Sequence, residues 1–176
     1  MASGFIDNGI YFIQNIGTGT VVDLANGSSD NGTKVQGYSK RELNDPSASA
    51  QLWIITRVEH DEYTIRNANS CTYMDIKGGT FTVGSTPVVA CQGTGHRNQR
   101  WAIKRNDKKT AYVQCGEWQY VLLFVDSSET GNRHVCIDAS YLDYGWGTEN
   151  GTPMQMWAGI GPSTVHPLQL WHVVRA

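Results

Sequence analysis

Charge is scarce in this chain. Lys, Arg, Asp and Glu together make up 17% of its 176 residues, and the formal net charge is −2. That balance gives no electrostatic footprint for nucleic acid or for an anionic membrane surface. The one basic cluster, Lys104, Arg105, Lys108 and Lys109 around Asp107, reads as a solvated loop. Long hydrophobic runs are missing as well. The most apolar segment is Tyr120 to Val125, far short of the roughly 18 apolar residues a membrane span needs, so no membrane insertion is expected. The N-terminal MASGFIDNGIYF has neither the basic start nor the apolar core of a secretory leader. A cytoplasmic location is therefore expected, with Cys71, Cys91, Cys115 and Cys136 as free thiols. On the same ground the Asn-x-Ser/Thr triplets at Asn26, Asn31 and Asn150 read as turns.

Catalytic and metal-binding patterns are equally sparse. His60, His96, His134, His166 and His172 show no ligand spacing with the cysteines, and Asp30-Asn31-Gly32 lacks the rest of a calcium loop. No nucleophile elbow, phosphate-binding glycine loop or zinc-protease motif is present. Nothing in the sequence brings Cys115 and His134 together as a thiol dyad. The expectation is a chain with no catalytic residues, no metal and no cofactor, and therefore not an enzyme.

What the sequence does have is aromatics, at 10%, and 19 glycines. With no helical periodicity in any window, these point to a turn-rich all-β protein. It also has repeats. Gln-x-Trp occurs as Gln51-Leu52-Trp53, Gln99-Arg100-Trp101 and Gln169-Leu170-Trp171. Upstream of the first stand Tyr11 to Asn15, Thr20 to Leu24 and Gly32 to Tyr38; upstream of the second stand Tyr63 to Asn67, Thr72 to Ile76 and Ser85 to Cys91. Asn15 to Asp23 and Asn67 to Asp75 are the same eight-residue interval. In the third copy His134 to Asp138 matches the Asp strand, and Gly151 to Trp157 matches the strand before the tripeptide. Its first strand falls at Ala111 to Cys115, because Trp53 to Tyr63 and Trp101 to Ala111 are both ten residues. Cys115 then lies 23 residues before Asp138, so some fifteen residues are inserted, near 116–130.

The predicted architecture is one domain over 1–176, with repeats at about 9–57, 61–105 and 110–176. Each repeat contributes four short strands, twelve in all, with approximate threefold symmetry. One copy cannot bury its own apolar face, so the three close on a single core. The Trp of each tripeptide is expected to fill that core, and its Gln to bond the backbone or orient the neighbouring Asp.

These residues resemble the ricin-B-like, or R-type, lectins over nearly the whole chain. Within that family, IQN…DLANGSSDNGTKVQGY…QLW and YTIRN…TYMDI look most like the N-terminal trefoils of mushroom galactose-type agglutinins. The resemblance implies a β-trefoil and a non-catalytic, multivalent lectin for galactose- or GalNAc-bearing glycans. Some such agglutinins carry a papain-like protease domain after the trefoil; none is expected in a sequence that ends at Ala176. The within-repeat disulfide of secreted relatives is not reproduced, since Gly159 stands where a partner for Cys136 is expected.

In the family a sugar site takes an Asp, a polar residue two before an aromatic, that aromatic, and Asn or His before the Gln. The carboxylate accepts from two adjacent hydroxyls, and the ring covers the apolar C–H face of the sugar. Repeat 1 supplies Asp23, Gln36, Tyr38 and Gln51, with Ala50 in the Asn/His place. Asn44 or Asp45 from the loop are candidates to compensate. Repeat 3 supplies Asp138, Gln155, Trp157 and Gln169, with Leu168 in that place and His166 as the substitute. Repeat 2 keeps Asp75, Asn98 and Gln99 but has Val89 and Cys91 for the polar residue and the ring, so it is expected to be weak or lost. Asp23 and Asp138 also fit turn-capping roles. A protease inhibitor using the 39–50 loop or the 116–133 segment is the alternative function, and the apolar insertion is a candidate homodimer surface.

Overall fold

The computed structural model describes residues 6–59, 62–79, 86–105, 111–115, 134–138, 149–159, 167 and 170–176, with backbone alone at 104–105, 111–115, 134–138 and 157–159. Thirteen strands lie among the described residues. Those of the first copy are β1 (Gly9–Asn15), β2 (Val21–Leu24), β3 (Thr33–Tyr38) and β4 (Trp53–Arg57). The second copy gives β5 (Glu62–Asn67), β6 (Tyr73–Ile76), β7 (Val88–Cys91) and β8 (Trp101–Arg105). The third gives β9 (Ala111–Cys115), β10 (His134–Asp138), β11 (Thr152–Pro153), β12 (Gln155–Gly159) and β13 (Trp171–Arg175).

One more strand is present than the repeats predict, because the third strand of the last copy is split. Pro153 has no N–H to give to a ladder. The chain pairs Pro153 with Gln36 of β3, turns through Met154, and then pairs Gln155 with Asp138 of β10.

Six strands close a barrel. β1 pairs with β4, β4 with β5, β5 with β8, β8 with β9, β9 with β13, and β13 returns to β1. The β2–β3, β6–β7 and β10–β12 hairpins form a triangular set joined edge to edge. β3 meets β7 at Thr33–Ala90, β11 meets β3 at Thr152–Gly37, and Pro87 bridges to Gln155. Each hairpin hangs on its own barrel strand at the matching residue: Val21 opposite Gln14, Tyr73 opposite Arg66, Cys136 opposite Gln114. This is the β-trefoil the repeats imply.

Period-two alternation decides what each strand buries. Val22, Leu24 and Val35 of the first hairpin and Met74, Ile76, Val88 and Ala90 of the second enter the core with Met154 and Met156 of the third. Trp53, Trp101 and Trp171 are fully buried there, alongside Ile13, Ile55, Tyr63 and Ile65. The residues between them, Asp23, Asp75 and their cross-strand partners, are left for the outer face of each hairpin.

Neighbouring copies are tied by paired asparagines. Asn15 and Asn67 are buried at the ends of β1 and β5, where their Oδ1 atoms accept from the following turns. Their Nδ2 atoms donate to carbonyls at the tripeptide of the preceding copy around the ring, Leu170 for Asn15 at 3.4 Å and Ala50 for Asn67 at 3.0 Å.

Candidate functional site

In the first two copies the tripeptide holds the Asp of its own repeat in place. The Trp53 Nε1–H donates to the Val22 carbonyl at 2.9 Å, and the Trp101 Nε1–H donates to the Met74 carbonyl at 3.0 Å. These carbonyls immediately precede Asp23 and Asp75, so the core indole fixes the backbone from which each carboxylate projects.

The glutamines finish the frame in parallel. Gln51 Nε2 donates to Asp23 Oδ2 (3.2 Å) and the Ser39 carbonyl (2.9 Å), and its Oε1 accepts from the Arg41 N–H (2.8 Å). Gln99 Nε2 donates to Asp75 Oδ2 (2.7 Å) and the Gln92 carbonyl (2.9 Å), and its Oε1 accepts from the Thr94 N–H (2.9 Å). One amide thus spends both ends locking a carboxylate to the loop that follows the hairpin. By these bonds Arg41 and Thr94 occupy the same place in their repeats.

In the first copy Asp23 faces Gln36 and Val21 faces Tyr38 across β2–β3, which puts the four on one face. Gln36 Nε2 donates to Asp23 Oδ1 at 2.8 Å. Asp23 is 1% exposed and its bonds run to side chains, so it caps no turn. The Asn/His place is not filled by the expected loop residues. Asp45 accepts from the Ser47 N–H and hydroxyl, which hold its carboxyl below the ordinary range, and Asn44 is exposed. Arg41 comes in instead. Its Nη1 donates to Asp23 Oδ2 at 2.6 Å, and its guanidinium carbon lies 4.4 Å from the Tyr38 ring centroid. A cleft of about 330 Å³ opens here, lined by Asp23, Gln36, Tyr38, Arg41, Ser49 and Asn69 among others. Sequence reasoning missed Arg41 because it sits in the non-repeating 39–50 loop.

In the second copy Asn98 Nδ2 donates to Asp75 Oδ1 at 2.8 Å, so Asp75, Asn98 and Gln99 converge as the motif implies. Burial pushes the Asp75 carboxyl up, against the amide donors of Gln99 and Asn98 and the nearby His96 charge. Val89 stands opposite Asp75, and Cys91 stands opposite Tyr73. The aromatic has therefore changed strands: repeat 1 has Val21 and Tyr38 where repeat 2 has Tyr73 and Cys91. The Tyr73 ring packs on the backbone of Gly93, where a Cβ would come within 2.7 Å of it. Burial also raises the Cys91 thiol, the opposite of what an activated nucleophile needs.

In the third copy the register repeats: Asp138 opposite Gln155, Cys136 opposite Trp157. Gln155 is buried. The side chains of Asp138 and Trp157 lie outside the described residues, as do His166, Leu168, Gln169 and the 116–130 insertion. Among the described residues no group of three His, Cys, Asp or Glu could hold a metal ion, and no helix is long and apolar enough to cross a membrane. Cys71 and Cys91 are free.

The family model described as ricin-type beta-trefoil lectin domain-like matches residues 5–91 and 49–134. No curated protein sequence matches the chain. Among solved structures, the designed 3-fold symmetric protein ThreeFoil shares 16% identity at a TM-score of 0.74, covering 96% of this chain and all of its own. The Rhizoctonia solani agglutinin gives 19% and 0.73, covering 99% of this chain and 100% of the agglutinin. A ricin B-like lectin of Macrolepiota procera, solved in complex with lactose, gives 25% and 0.65, covering 97% of this chain and 99% of the lectin.

Proposed function

The chain belongs to the ricin-type β-trefoil lectin domain-like family, and from that premise we propose that it is a non-catalytic lectin for galactose- or GalNAc-type glycans. The observation that carries this reading is the repeated register. Asp23–Gln36 and Asp138–Gln155 stand opposite one another, with Tyr38 and Trp157 two residues farther along the same strands. An acceptor pair beside a ring is what a galactose-type sugar needs: adjacent hydroxyls for the carboxylate, and a C–H face for the aromatic. The M. procera lectin, solved with lactose, supports the sugar class.

We place the binding sites in repeats 1 and 3, using Asp23, Gln36, Tyr38 and Gln51 in the first and Asp138, Gln155, Trp157, His166 and Gln169 in the third. Repeat 2 is subordinate. Its Asp75, Asn98 and Gln99 are assembled, but its ring is engaged on Gly93. Each sugar hydrogen bond nets on the order of 1 kcal/mol, so single sites bind weakly and a multivalent surface is held by avidity. Glycan-array binding by the intact chain tests the reading; an array with no bound glycan removes it. The insertion is proposed as a homodimer surface. Sedimentation velocity should then show a concentration-dependent species that deletion of 117–130 abolishes.

A further inference from the structure

Arg41 has no counterpart in the sugar-site pattern, yet it lines the repeat-1 cleft between Asp23 and Tyr38. Its side chain is 21% exposed, and one nitrogen, Nη1, pairs with Asp23. A guanidinium carries five N–H donors in a rigid fork, which leaves the Nε and Nη2 edge unspent by any bond to the described residues. The other polar groups lining the cleft besides Asp23 are uncharged: Asn26, Gln36, Tyr38, Ser47, Ser49 and Asn69. At the matching place in repeat 2 stands Thr94, and Asp75 there accepts from amide donors in place of a guanidinium.

Two consequences follow for a sugar entering repeat 1. The face of Tyr38 is covered by the guanidinium, so a neutral ring finds a cation where it needs a bare aromatic face. Asp23 Oδ2 already accepts from Arg41 and Gln51, which fills its two lone pairs. A neutral galactoside that takes Asp23 Oδ2 or stacks on this face of Tyr38 must displace Arg41 and leave a largely buried guanidinium without its partner. A saccharide bearing an oxyanion does not require that displacement, because a carboxylate or sulfate can take the free edge of the fork while Asp23 keeps Nη1 and Asp45 stays bonded to Ser47.

We propose that Arg41 is a specificity-determining residue that makes the repeat-1 cleft select acidic galactose-type glycans, carboxylated or sulfated, over neutral ones. This rests on the lectin reading above. The test is calorimetric titration of the full chain carrying Asp138→Ala, which removes the repeat-3 carboxylate, with lactose, 3′-sialyllactose and 3′-sulfolactose. Arg41→Ala and Arg41→Gln are then added; the Gln variant keeps an N–H donor toward Asp23, and thermal melts confirm folding. At least one acidic ligand is expected to bind roughly tenfold or more tighter than lactose, and which one does so separates carboxylate from sulfate as the anion read. Both Arg41 variants should erase that preference, and lactose should bind them tighter than it binds the parent. Lactose binding equal to or above the acidic ligands in the parent, or a preference that survives Arg41→Gln, overturns the role of Arg41 and leaves the lectin reading standing. No saccharide bound by the Asp138→Ala parent or by either Arg41 variant overturns the role of Arg41, and no saccharide bound by the unsubstituted chain as well overturns the lectin reading.

Discussion

At the scale of single residues, the tripeptide tryptophans and glutamines of repeats 1 and 2 are buried struts for the carboxylates on the outer sides of the hairpins. Trp101→Ala removes a fully buried indole and its bond to the Met74 carbonyl. It should cost about 3–5 kcal/mol of stability by denaturant unfolding. Gln51→Ala leaves the Ser39 carbonyl and the Arg41 N–H without their partner, and should cost at least about 1–3 kcal/mol. Asp75 gives a test in pH. Burial raises its carboxyl in the folded state, so the folded chain binds this proton more tightly than the unfolded one. The stability this provides is present at low pH and is lost as pH rises through the raised value. The unfolding free energy of the parent minus that of Asp75→Ala should therefore be larger at pH 4 than at pH 7. A difference that grows toward pH 7 would reverse the sign. Equal sequence intervals made these Asp positions legible. Arg41 was not legible, because a loop of free length has no repeat to align and the cation acts through three-dimensional reach.

At the scale of elements, the hairpin is the unit of recognition. Strand pairing places Gln36 opposite Asp23 and Gln155 opposite Asp138, a register that the family resemblance named by residue but not by pairing. It also shows what a motif read along one strand cannot. Cys91 leaves β7 without a ring, yet Tyr73 on β6 brings one to the same face. Only cross-strand register reveals that exchange, since the two positions lie far apart in sequence. Its use is structural: the ring is held against Gly93. Asp75→Ala should accordingly change glycan affinity by less than about twofold, within the worth of a fraction of one hydrogen bond, while lowering the melting temperature. A clear loss of glycan binding in that variant would make repeat 2 a working site. The strand count was misjudged for a similarly local reason, since Pro153 divides one predicted strand between two partners.

At the scale of the whole molecule, three copies close one barrel and one core, while the outer faces have diverged. Threefold order lies in the buried residues: the tripeptide indoles, the Asn15 and Asn67 ties between copies, and the apolar rows of the hairpins. Departures from it lie on the outer faces of the hairpins, with Arg41 in repeat 1 and Tyr73 in repeat 2. The fold was legible because core positions recur with fixed spacing, whereas the site residues vary one by one. The most direct measurement is a glycan array of the parent beside a Tyr38→Ala, Trp157→Ala double variant, with circular dichroism on both. The parent should bind galactose- or GalNAc-bearing glycans, and the folded double variant should bind none above background. Unchanged binding by the folded double variant would contradict the placement of the sites in repeats 1 and 3.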